Sequence, residues 1–262
     1  QIQQWCEMFL SYRDPASGLV GDDHNLSNRL AEAFTKAGFP DLYDVPLTEQ
    51  EERDPLQTEE DLAEFLSDDM WETNPWGKGS HVQWVVRVHQ DVLRRTGRPD
   101  DGMIDSVHRW LDEQQDPETG YWRGARATLN NRACGAYKLI CWLYRPRGWH
   151  IHHIDRMIDT TLALQSERGD FGDSGFGCQV FDPLLLLKGG RDRRPGYRRN
   201  DVDAAAARCY LTLNDQWDPD HGFFKNAHGE VRLNNMVELP IALYMAELLL
   251  GISYFGEGRG ND

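Results

Sequence analysis

The chain has no apolar run approaching the ~20 residues needed to cross a bilayer as a helix, so no membrane span is expected. It has no excess of positive charge. Lys and Arg number 28 against 43 Asp and Glu, for a formal net charge of −15, which argues against general nucleic-acid binding. Cysteine is scarce. Cys6, Cys134, Cys141, Cys178 and Cys209 include no Cys-x-x-Cys pair. An odd, scattered set reads as reduced thiols in a cytoplasmic protein and argues against a structural zinc site. No stretch alternates apolar and polar residues long enough to suggest a sheet. The start, Gln1-Ile2-Gln3-Gln4-Trp5, lacks the basic-then-apolar pattern of a secretory signal. No cofactor and no metal are expected.

What the chain does have is a repeat. The pattern Asp-Pro-x-x-Gly-aromatic occurs at Asp14-Pro15-Ala16-Ser17-Gly18-Leu19, with Leu19 as the relaxed position. It returns at Asp116-Pro117-Glu118-Thr119-Gly120-Tyr121 and at Asp218-Pro219-Asp220-His221-Gly222-Phe223. Successive copies are 102 residues apart. Weaker copies read Glu72-Thr73-Asn74-Pro75-Trp76-Gly77 and Glu167-Arg168-Gly169-Asp170-Phe171-Gly172. The period is therefore about 50 residues, a length that marks stacked supersecondary units. Asp-Pro starts a turn, the Gly accepts a positive φ, and the aromatic plugs the gap between neighbouring units.

Around each loop the sequence predicts a helical hairpin. The helix before it is amphipathic: Met103, Ile104, Val107 and Leu111 share a stripe, as do Ile151, Ile154, Ile158 and Leu162, and Val202, Ala206, Cys209 and Leu213. Thr58 with Asp61 and Asn200 with Asp203 read as helix starts. The helix after each loop is apolar over most of its circumference, as in 136–144 and 241–250, and should be buried on several sides. An outer helix, a loop and an inner helix repeated about five times predict an all-α fold, an α/α toroid of five to six hairpins. It is expected as one domain over 1–262, with a sixth hairpin, if there is one, outside the chain. Residues 38–56 read as an acidic insertion. The basic run from Lys188 to Arg199 reads as a solvated connection at a helix C-terminus.

The loops resemble the Gln…Gly-x-Trp repeat of squalene and oxidosqualene cyclases: Gln115…Gly120-Tyr121-Trp122, and more loosely Gln165…Gly169-Asp170-Phe171 and Gln216…Gly222-Phe223-Phe224. This resemblance implies the terpenoid cyclase/protein prenyltransferase superfamily and its toroid. The nearest match to the class II cyclase acid motif, Asp201-Val202-Asp203-Ala204, has Ala204 in place of its last Asp, and the Asp, Cys and His set that holds zinc in prenyltransferases is not found.

In such a ring the inner helices start at one end, where free N–H groups favour anions and developing oxyanions. The residues expected there are His24, Asn25, Trp76, His81, Asn131, Arg132, Lys138, Cys178, Asp182, Asn235 and Glu238. Asp182 and Glu238 form a candidate acid/base pair, with His81 an alternative base. Arg132 and Lys138 suit a carboxylate or phosphate. His24, Asn25, Asn131, Cys178 and Asn235 supply further binding positions. Trp76 and Trp122 fit either stacking platforms or loop plugs, and His81 fits a helix start equally well. His150, His152 and His153 are expected on a surface connection at the opposite end. The favoured function is a hydrolase or lyase acting on a polyhydroxylated, anionic saccharide. Isoprenoid cyclisation or transfer and a non-catalytic binding module are the alternatives.

Overall fold

The structure, a computed structural model, describes residues 7–20, 27, 30–31, 34, 55–171, 178–218, 223–225 and 233–251. Within that set the side chains of 178, 223–224, 233–238 and 240–241 fall outside the description. The insertion expected at 38–56 lies almost wholly outside the described residues. By its contacts the chain divides into two compact units, Gln1–Pro55 and Leu56–Asp262.

In the first unit, residues 7–10 are helical and lead into the first repeat loop, which Arg13 and Val20 close as an antiparallel bridge. The Asp14 carboxylate accepts from the N–H groups of Ala16 and Ser17, both at 2.8 Å, and Gly18 takes φ +71°. Those two N–H groups, Ser17 first, hold the Asp14 carboxyl below its ordinary pKa. Val20 N–H donates to the buried Ser27 hydroxyl, and Val20 packs with Phe34, Leu10, Leu19 and Leu30.

The second unit is built from helices. α1 (Glu59–Ser67) and the short α2 (Met70–Thr73) precede α3 (Pro75–Thr96) and α4 (Met103–Gln114). α5 (Leu129–Leu139) continues through a π-helical segment, Ile140–Tyr144, into α6 (Arg145–Arg147). α7 (Ile154–Ala163), α8 (Cys178–Arg193) and α9 (Arg199–Asp215) follow. Two-residue strands β1 (Trp217–Asp218) and β2 (Phe223–Phe224) pair antiparallel before α10 (Leu233–Leu250). This is an all-α fold. Among the described residues no helix is long and apolar enough to cross a membrane.

Local chemistry sets the helix starts. Thr58 and Asp61 form the reciprocal capping box at α1, Asn74 caps α3 through Gly77 N–H, and Thr128 caps α5 through Asn131 N–H. The expected cap at Asn200 is not used. α9 starts two residues earlier, after Arg198, which takes φ +49° and whose guanidinium bonds Asp159 and Asp201. The amphipathic stripes before the loops are buried as expected: Val107 and Leu111 on α4, Ile154 and Ile158 on α7, and Val202, Ala206, Cys209 and Leu213 on α9.

The helices that follow the loops pack in sequence, α3 against α5, α5 against α8, and α8 against α10. α3 and α5 approach backbone to backbone. A Cβ on Gly79 would lie 2.8 Å from Gly135 O, and one on Gly135 would lie 2.5 Å from Pro75 O. Only glycine permits that approach. The helices are also parallel. Asn131 Oδ1 accepts from Trp76 N–H at the start of α3, Asn130 Nδ2 donates to Gln179 O at the start of α8, and Arg191 near the end of α8 donates to Leu248 O and Leu249 O at the end of α10.

The buried plugs, two tryptophans and a valine, keep a stricter beat than the motif suggested. Val20, Trp71 and Trp122 are spaced 51 residues apart and are 3%, 1% and 1% exposed. The second copy is therefore centred on Trp71. Trp76 and Gly77, taken from the sequence as that copy, lie in the first turn of α3, with Trp76 41% exposed. In the fifth copy β1–β2 pairs Trp217 with Phe224, the pairing that Gln115 makes with Trp122, so Trp217 rather than Gln216 holds the glutamine position.

Candidate functional site

The best-defined polar constellation lies where α3, α5 and α8 begin. Asn131 joins two starts. Its Oδ1 takes Trp76 N–H at 3.0 Å, and its Nδ2 lies 3.4 Å from the oxygen of the α3 cap, Asn74. Asn130 joins the next pair, donating to Phe171 O at 2.6 Å in the fourth loop and to Gln179 O at 3.4 Å. Pro183 explains the second bond. It lies inside α8 and has no N–H for the carbonyl four residues earlier, which is Gln179 O. The helix continues through Pro183 with Asn130 bonded to that carbonyl.

Asp182 is 0% exposed on α8 and close enough to Cys141 for its charge to act on that thiol. Burial first, and the Asp182 charge with it, push Cys141 up to about 12. Next to them Tyr137 and Phe181 pack edge to face at 5.4 Å, and Lys138 Nζ sits 5.0 Å from the Tyr137 ring. Phe181 and Leu185 remain half-buried on one stripe of α8, and Tyr244 and Leu248 are 46% and 38% exposed on one stripe of α10.

Other expected site residues are engaged elsewhere. Trp122 is a plug rather than a stacking surface, with Nε1 donating to Leu111 O at 2.9 Å. Arg132 donates to Asp116 Oδ2 at 2.7 Å and Thr119 Oγ1 at 2.9 Å, fastening the third loop to α5. An anion would have to displace Asp116 to reach it. His81 packs edge-on against Phe65 at 5.0 Å and beside Trp84, so it sits against the end of α1. Burial first, then the neighbouring Lys78 charge, lower its pKa, with Asp68 opposing. Lys78 is fully buried, donating to Phe65 O at 2.6 Å and Asp68 Oδ2 at 3.1 Å. His24 and Asn25, and the side chains of Cys178, Asn235 and Glu238, lie outside the described residues. Trp76 and Asn131 are together at the α3 start. No described contact joins His81 to Asp182.

His150, His152 and His153 are not placed away from the loops as expected. The N–H groups of His152 and His153 donate to Gln115 Oε1 at 3.1 and 3.3 Å, while Gln115 Nε2 donates to Gly120 O at 2.9 Å. The third loop is thereby tied to the start of α7. Among the described residues no group of His, Cys, Asp and Glu is arranged to hold a metal, and Cys141 and Cys209 are free thiols. The basic run is paired with acids: Lys188 with Asp192, Arg191 with Asp203, Arg194 with Asp155, and Arg198 with Asp159 and Asp201. A depression of about 280 Å³ between α7 and α9 is lined by Arg198 and Arg208, which are held by those acids and by Gln165.

Sequence reading missed Trp71, although its 51-residue spacing from Trp122 is visible. It also missed the carbonyl-satisfying role of Asn130, which the Pro183 position could have suggested. No family model, curated protein or solved structure matches this chain.

Proposed function

We propose that residues 1–262 form one α/α toroid of the terpenoid cyclase/prenyltransferase type, and that the shared start of its inner helices is an enzyme site for a polyhydroxylated, anionic saccharide. The parallel arrangement of α3, α5 and α8, bridged by Asn131 and Asn130 with Asp182 buried nearby, carries this reading. In this scheme Asp182 gives a proton to the leaving oxygen and Glu238 acts as base or nucleophile. Exposed Trp76 and the Asn131 amide hold the sugar. Separate Asp182→Asn and Glu238→Gln variants should stay folded and lose turnover on a polysaccharide panel. Full turnover in each removes the reading.

The half-exposed apolar stripes of α8 and α10 favour a second reading, an isoprenoid ligand. Binding of a farnesyl-type diphosphate with no saccharide binding selects it. Binding of neither, in a folded protein, selects a non-catalytic module.

A further inference from the structure

Apart from that site, one cluster of titratable side chains is joined across three segments. Asp112, near the end of α4, is approached by three groups. The Tyr144 hydroxyl, from the π-helical segment, donates to Oδ1 at 2.8 Å. His108 Nε2, one turn earlier on α4, lies 3.3 Å from Oδ2, and His152 Nε2, in the connection 148–153, lies 3.4 Å from the same oxygen. The Trp149 indole stacks on the His108 ring with centroids 3.9 Å apart and planes 12° from parallel, and Tyr144 meets Trp149 edge-on at 5.4 Å.

We propose that His108, Asp112 and His152 form a proton-operated clamp that fastens the connection 148–153, and with it the start of α7, to α4. His108 Nε2 has no hydrogen-bond partner despite its 3.3 Å approach. A neutral imidazole in that position gains little from the carboxylate, whereas a charged one gains a direct attraction. Histidine changes charge between about pH 5 and 8, so the clamp tightens as pH falls through that window and loosens as it rises. The other titratable groups facing the cluster set its limit. From the π-helical segment there is Tyr144. From α6 and the connection there are Arg147, 5.4 Å from the Trp149 ring, His150, 5.1 Å from the His152 ring, and His153, 6.4 Å from it. Arg147 adds like charge beside the cluster. Gln115 also holds the His152 and His153 N–H groups through an amide that does not titrate, so the proton governs how often the connection opens rather than where it sits.

Hydrogen–deuterium exchange of amides 148–157, corrected for intrinsic rates, tests this on the full chain. Opening should be roughly threefold rarer at pH 5.5 than at pH 8, the size expected of partly exposed ion pairs. That ratio should fall to one in Asp112→Asn and in the double variant His108→Gln, His152→Gln. Should Asp112→Asn fail to fold, the double variant decides alone. A ratio of one or below in the parent protein, or a ratio retained without the two imidazoles, overturns the clamp.

Discussion

Gln115 and Gln165 hold the same place in successive loops, and the loops use them differently. Each donates Nε2 to the glycine carbonyl of its own turn, Gly120 O at 2.9 Å and Gly169 O at 3.0 Å. Gln115 then accepts two backbone N–H groups before α7. Gln165 instead donates again, to Ala205 O inside α9, and accepts from the Arg208 guanidinium. The third loop has Tyr121, fully buried and bonded to Thr161, where the shorter fourth loop has Asp170 paired with Arg168. The recurring device is the glutamine-to-glycine bond with an aromatic plug behind it. What the glutamine reaches next is free to vary with the helix that follows.

The comparison can be broken at its plugs first. Trp122→Ala should cost about 4 kcal/mol and Phe171→Ala about 3 kcal/mol in denaturant unfolding. Near-zero loss at Trp122 would end its role as a plug. Gly120→Ala comes next at about 3 kcal/mol. Its φ is +74° and the new Cβ would lie 2.3 Å from Met157 N. Gly97→Ala, at φ +64° with open space around it, should cost only about 1 kcal/mol. Equal losses would mean that α7 does not press on the loop.

Gln115→Ala should cost about 2 kcal/mol and Gln165→Ala about 1 kcal/mol, since both release a glycine carbonyl but the first also strands the His152 and His153 N–H groups, whereas the second releases a carbonyl inside α9 and an exposed guanidinium that water can solvate. A reversed order in thermal unfolding would contradict the partners named here. The smallest effect is in acid. Burial alone would raise the Asp116 carboxyl, but bonds from Arg132, Glu118 N–H and Thr119 outweigh it and hold it below its ordinary value. Its contribution is therefore present above the ordinary carboxylate range and lost as pH falls through the lowered one. Asp116→Asn should flatten the acid limb of the stability curve, and an unchanged limb would rule out the Arg132 pairing.

Much of this was visible in the sequence, because helical stripes and turn chemistry act locally. The stripes of α4, α7 and α9, the capping box at Thr58 and the turns at Asp14 and Asp116 all follow from neighbours a few residues apart. The site was less legible because its residues are decided by contacts across loops. Arg132 looks available to an anion until Asp116 is placed beside it, and His81 looks like a base until Phe65 covers one edge. Trp76 and Trp71 are both aromatic and five residues apart, and only the packing shows which is the plug.

The π-helical turn at Ile140–Tyr144 has a consequence for how this molecule tolerates insertions and deletions. Such a turn accommodates one surplus residue inside an α-helix. Removing one residue there would regularise the helix and leave everything beyond it close to its present phase, since four residues of α-helix turn the chain by about as much as the five of the π-helical segment. Trp149 would stay near His108, and the chain would still enter α7 in phase. A deletion elsewhere in α5, with no surplus to absorb it, would rotate the chain beyond it by about 100° and turn the third hairpin against the fourth.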